Sequence, residues 1–195
     1  TLEIARKVLD DVRAWKGHGF QPRTSINLDA RVAEEPSVGP TLIELVRERK
    51  LEPAQICLEL TETAFPEDMT RLIEVMTRLR MAGFNLSLDD YGTGVSNFEL
   101  LRLCPFTELK IDGSVMRSAP TEPIARRFIQ SAVAMAHDLD MTVVGEGIET
   151  EAQLSTARQL GVTTIQGFLF SRPVSFEGML RELSAAPPRL EARAC

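Results

Sequence analysis

Six polar residues stand at or near the ends of short apolar runs: Asn27, Glu59, Asp89, Lys110, Glu146 and Gln166. Three of them are carboxylates, and Asp90 beside Asp89 adds a fourth. Brought together, they form a hard, oxygen-rich donor set with one amine, which suits Mg²⁺ or Mn²⁺ rather than Zn²⁺. Bound cations would also reconcile such an acidic site with an anionic phosphate ligand.

Each residue also has a plainer reading. Asn27 can cap the turn that follows it. Asp89-Asp90, ahead of Tyr91-Gly92-Thr93-Gly94, can be a turn with a local acceptor, although adjacent like charges cost energy unless a cation neutralises them. Lys110, between Leu109 and Ile111, is costly to bury unpaired and has Asp112 at hand as a structural partner. Glu146 lies between Gly145 and Gly147, which admit a ligand closely or simply make a turn. The plain readings weaken jointly, because chance would have to supply a polar group at the end of every strand. The histidines are not placed as ligands: His18 sits in a Gly-flanked loop and His137 near a helix end. No Ser or Cys stands beside a candidate base in a nucleophile elbow.

The elements that would position these residues alternate between helix and strand. Ala5, Val8, Leu9, Val12 and Trp15 mark a first helix, followed by a strand over 23–28. Leu42, Leu45 and Val46 mark a second helix, followed by a strand over 56–60. Leu72, Val75, Met76 and Leu79 form the next stripe, ended by Gly83, with a strand over 84–88. A helix near 98–103, a strand over 109–111, and a helix carrying Ile124, Phe128, Ala132 and Met135 come next. A strand over 142–144, a helix opened by a Thr150/Gln153 capping box, a strand over 163–165 and a helical tail with Met179, Leu180 and Leu183 complete the pattern.

Six strands in an α/β order, with no glycine-rich dinucleotide loop, point to a TIM-type (β/α)8 barrel. In such a barrel the C-terminal strand ends converge on one mouth. A full barrel takes about 250 residues, so 195 residues with six strands imply that the first two strands are lacking, the deficit lying at the N-terminus. A formal net charge of −6 argues against a polymeric nucleic acid as partner, and no apolar run approaches the roughly 18 residues of a membrane span. Cys57, Cys104 and Cys195 are odd in number and widely spaced, which suggests a reducing compartment and two buried thiols.

Six segments together closely resemble the EAL family of cyclic di-GMP phosphodiesterases: Ile26-Asn27-Leu28; Glu59-Leu60-Thr61-Glu62-Thr63; Asp89-Asp90-Tyr91-Gly92-Thr93-Gly94; Leu109-Lys110-Ile111-Asp112; Gly145-Glu146-Gly147-Ile148-Glu149-Thr150; and Gln166-Gly167-Phe168-Leu169-Phe170-Ser171-Arg172-Pro173. The resemblance covers residues 1–180, leaving 181–195 as a tail. It implies metal-dependent hydrolysis of cyclic di-GMP to the linear dinucleotide in bacterial signalling. Asn27, Glu59 and Asp89 would hold one Mg²⁺ or Mn²⁺ ion, and Asp89, Asp90 and Glu146 a second. Lys110 would act on the attacking water, Gln166 would position the water or the phosphate, and Glu62 would anchor the loop over 89–94. A homodimer, sensor or GGDEF-type domains upstream, and a cytoplasmic location, which leaves room for a larger membrane-attached protein, are further implications. The Glu-Ala-Leu run that names the family is absent from the sequence, and it is expected in the same gap as the two lacking strands. The alternatives are an inactive EAL domain that acts as a cyclic di-GMP receptor, or a structural partner domain working through a loop-side dimer surface.

Overall fold

Helix α1 (Leu2–Gly17) presents Ala5, Leu9 and Val12 to the interior at helical spacing, and Val8 and Trp15 pack partly against the same core. The computed structural model describes residues 2–61, 66–93 and 98–185. In chain order the strands are β1 (Thr24–Asn27), β2 (Ile56–Thr61), β3 (Asn85–Tyr91), β4 (Glu108–Ile111), β5 (Thr142–Gly145) and β6 (Thr164–Ile165). The helices after α1 are α2 (Ala30–Ala33), α3 (Val38–Glu48), α4 (Met69–Met81), α5 (Phe98–Leu103), α6 (Gly113–Ser118), α7 (Pro123–Asp138), α8 (Glu151–Gln159) and α9 (Phe176–Ala185). The strands form one sheet in the order β1-β2-β3-β4-β5-β6, and every pairing is parallel.

Parallel strands are covered on both faces, so they carry few surface positions. In β2 all of Ile56, Cys57, Leu58, Glu59 and Leu60 are buried. Ile56, Leu58 and Leu60 alternate with Cys57 and Glu59, so the apolar set lies on one face and Cys57 and Glu59 on the other. The sheet curls towards the latter face. Arg23, at the entry to β1, reaches Glu108 of β4 at 2.7 Å, although three strand spacings of about 4.8 Å separate those strands along a flat sheet. The result is the six-stranded part of a (β/α)8 barrel with polar side chains on its concave inner face.

Most of the expected elements are present, with informative shifts. The third strand runs on to Tyr91, so Asp89 and Asp90 belong to it rather than to a loop beyond it. Helices α2 and α6 were not anticipated. They are four and six residues long, too short to show a period, and each is started by an aspartate: Asp29 accepts from the amides of Arg31 and Val32, and Asp112 from that of Ser114. On α7 the expected stripe holds in part: Ala132 is buried and Phe128 and Met135 pack partly against the core, but its first residue does not. Ile124 is 79% exposed, and the buried face is Ala125, Ile129, Ala132 and Ala136, so small alanines carry the contact. The Thr150/Gln153 capping box is formed as expected. Cys57 and Cys104 are buried free thiols, and burial raises both to a pKa of about 12. Cys195 lies outside the described residues.

Candidate active site

Strand register sets the site. Asn27 stands opposite Glu59, and Thr61 opposite Asp89, so the ends of β1, β2 and β3 are aligned across the mouth. The ladder extends past the strands. The amide of Glu146 donates to the carbonyl of Ile111 at 3.1 Å, and that of Gln166 to Gly145 at 2.9 Å. Glu146 and Gln166 are therefore held at the strand ends by backbone bonds although they lie just outside β5 and β6. Asn27 is exposed, whereas Glu59, Asp89 and Lys110 are buried.

Lys110 is the centre of the arrangement. Its Nζ lies 2.6 Å from Glu146 Oε1, 3.0 Å from Asp89 Oδ1 and 3.1 Å from Glu59 Oε1. An ammonium has three protons to donate, and three carboxylates from three different segments receive them. Asp112, the alternative partner, instead caps α6. Burial opposes the charged form of Lys110, but the bond to Glu146 and the charges of Glu59, Asp89 and Glu146 outweigh it and hold the pKa above the ordinary lysine value. Glu146 is pushed above the usual carboxylate range, first by burial and then by Asp89 and Glu59, in spite of Lys110. Negative charge in excess around one cation contributes to both shifts.

Asp90 enters through an irregularity. Strict alternation would turn consecutive residues to opposite faces of β3. The register between β3 and β4 shifts between Leu88 and Tyr91, and Asp90 adopts φ 59°. Such a bulge re-aims side chains, and aspartate tolerates the left-handed region better than most residues. Asp89, Asp90 and Glu146 can consequently bring carboxylate oxygens to within 4.8 Å of one another. The bulge is buttressed from outside. Tyr91 stacks on Phe128 at 5.5 Å, and Gly92, at φ 105°, packs so closely that a Cβ there would lie 2.9 Å from the Phe128 ring.

The glycines around Glu146 are also explained by packing. At Gly147, φ is 62° and a Cβ would meet the Gly113 backbone at 2.9 Å, so the chain passes tightly against the start of α6. Gln166 lines a cavity of about 530 Å³ with Glu59, Lys110, Arg23 and Glu108 on the concave face. Glu62, and Gly94 of the loop that it was expected to anchor, lie outside the described residues. His18 and His137 are both exposed.

Sequence reasoning missed a second polar layer beneath the first. Arg23 pairs with Glu108, and Cys57 Sγ lies 3.8 Å from Glu108 Oε1. Cys57, Ser87 and Glu108 each precede a mouth residue by two positions, and this period was the available signal.

Comparison with known proteins bears on the family and the fold. Residues 2–173 match the EAL domain family. The probable cyclic di-GMP phosphodiesterase PdeB of Escherichia coli is 35% identical over 93% of this chain and 34% of its own length. The phosphodiesterase MucR of Pseudomonas aeruginosa, solved as a cyclic di-GMP complex, superposes with a TM-score of 0.81 at 30% identity, covering 91% of this chain and 74% of that one. BlrP1 of Klebsiella pneumoniae, in a manganese and cyclic di-GMP complex, gives a TM-score of 0.76 at 30% identity, over 84% of this chain and 42% of that one. The chain spans between 22% and 34% of the length of the curated relatives it matches.

Proposed function

Because this chain belongs to the EAL domain family, we propose that it supplies most of the active site of a metal-dependent phosphodiesterase that opens cyclic di-GMP to the linear dinucleotide. The observation that carries this reading is the Lys110 ammonium ringed by Glu59, Asp89 and Glu146, with Asp90 alongside. A site with more carboxylates than cations is suited to an anionic substrate only when further cations join it.

The donor set fits two such ions. Asp89, Asp90 and Glu146 would hold one, and Asn27, Glu59 and the shared Asp89 the other, all through oxygen, as Mg²⁺ or Mn²⁺ requires. Bound there, the pair would activate a water and neutralise charge on the phosphate. The chain's own residues do the positioning. Lys110, held at the mouth by Glu59, Asp89 and Glu146, would act on the attacking water. Gln166, fixed at the end of β6 by its backbone, orients the same group. Glu62 would anchor the loop over 89–94. Residues 1–180 would form the domain, acting as a homodimer in the cytoplasm under sensor or GGDEF-type domains of a longer protein. Among the described residues no helix is long and apolar enough to cross a membrane.

The test is turnover of cyclic di-GMP with Mg²⁺ or Mn²⁺, with the product resolved by chromatography. Asp89→Ala should reduce the rate by at least about a hundredfold, the scale of losing a principal electrostatic element. Undiminished turnover in that variant would remove the metal assignment. A second reading, a receptor that binds without cutting, rests on the ion pairs of Lys110 with Glu59, Asp89 and Glu146, which would compete with cations for the same oxygens. Saturable binding of cyclic di-GMP with no product would select it.

A further inference from the structure

Ser87 is fully buried in the middle of β3, and its Oγ has no hydrogen-bond partner among the described residues. A buried hydroxyl left in this state is destabilising, whereas an alanine would fit the same space without that penalty. Register places Ser87 directly opposite Glu59 on β2 and Glu108 on β4, on the same inner face. The Glu108 carboxylate is engaged at both oxygens, Oε2 with Arg23 at 2.7 Å and Oε1 near Cys57 Sγ at 3.8 Å. Glu59 differs, because it pairs with an ammonium that it shares with two other carboxylates.

We propose that Ser87 is a positioning residue for Glu59, its hydroxyl donating to the Glu59 carboxylate when a divalent cation draws that carboxylate away from Lys110. The inference rests on the two-cation reading above. Neighbouring strands are about 4.8 Å apart, so a modest turn of either side chain closes the bond. Carboxylates that ligate metals are themselves held by hydrogen bonds from behind, which fixes their orientation. Glu59 is only 7% exposed, so a protein group rather than bulk water must fill this role, and Ser87 is the buried donor opposite it.

The experiment measures Mn²⁺ affinity by electron paramagnetic resonance, together with the metal-free melting temperature. The proteins compared are the parent, Ser87→Ala, Glu59→Gln and the double variant. Ser87→Ala should weaken Mn²⁺ binding by about tenfold. Its metal-free melting temperature should be unchanged or higher, which a merely structural serine would not give. In the Glu59→Gln background the serine change should alter affinity by less than about twofold, because the two residues act as one unit. Unaltered Mn²⁺ affinity in Ser87→Ala, equal weakening in both backgrounds, or a lower metal-free melting temperature would each overturn the inference alone. Absence of Mn²⁺ binding by the parent would overturn the cation reading and the inference with it.

Discussion

Two charge clusters share the concave face of the sheet, and they are built to opposite rules. The lower one sets Arg23 against Glu108 at 2.7 Å, one positive charge for one negative. The upper one sets Lys110 among Glu59, Asp89 and Glu146, which leaves two negative charges in excess, and Asp90 beside them adds another. A balanced buried pair is closed: it satisfies itself and has no further use for an ion. An unbalanced one is stable only while it is small, hydrated or completed by something cationic. The contrast separates a brace from a binding site without reference to any relative.

The contrast breaks most visibly at Lys110. Lys110→Met keeps the approximate volume but leaves three carboxylates without their cation. The metal-free protein should lose about 3 kcal/mol, a fall in melting temperature of about 6–12 °C for a chain of this size. Millimolar Mn²⁺ should restore most of that loss, because the cation takes over the role of the ammonium. Calorimetry with and without Mn²⁺ checks this, and a variant indifferent to Mn²⁺ would mean that the excess charge is not a cation site.

Arg23→Met applies the same operation to the lower cluster. The Arg23 side chain is 45% exposed, so water partly replaces it and the cost should be smaller, about 1–2 kcal/mol. Mn²⁺ should recover none of it. The double variant Arg23→Met/Glu108→Leu should regain stability, since removing both charges removes the desolvation cost together with the attraction. Recovery by Mn²⁺ in the single variant would show that the two layers are not separate.

The upper layer was legible in the sequence because each of its residues interrupts or ends an apolar run, an anomaly visible one strand at a time. Its partners were less so. Lys110 has Asp112 two positions away, yet its actual partners come from 51, 21 and 36 positions off, brought near only by sheet curvature. Asp90 could be named as a ligand, but not the bulge that turns it inward, because a register shift depends on the neighbouring strand. The lower layer escaped because Arg23 and Glu108 lie at strand entries, where charged residues normally face solvent. The start of the α7 stripe was misread because Ile124 outweighs Ala125 in hydrophobicity, and tertiary packing chose the alanine.

The smallest effect sharpens the comparison most, because it tests a residue next to the upper cluster that the geometry assigns elsewhere. Asp112 accepts from the Ser114 amide at the start of α6. Burial works against its ionisation, but hydrogen bonds from Ser114 and Gly113 and the charge of Arg117 prevail and lower its pKa. Asp112→Ala should therefore cost about 1 kcal/mol as the loss of a helix cap. A carboxylate with a lowered pKa stabilises the fold above its ordinary pKa, and that part is lost as pH falls through the lowered value. Parent and variant should accordingly converge in stability as the solution becomes strongly acidic. Mn²⁺ affinity should not change, since Asp112 gives its oxygen to α6 rather than to Lys110. A loss of Mn²⁺ affinity comparable with that of Asp89→Ala would instead place Asp112 within the charge set around Lys110, and the upper cluster would then have to be redrawn with one more carboxylate.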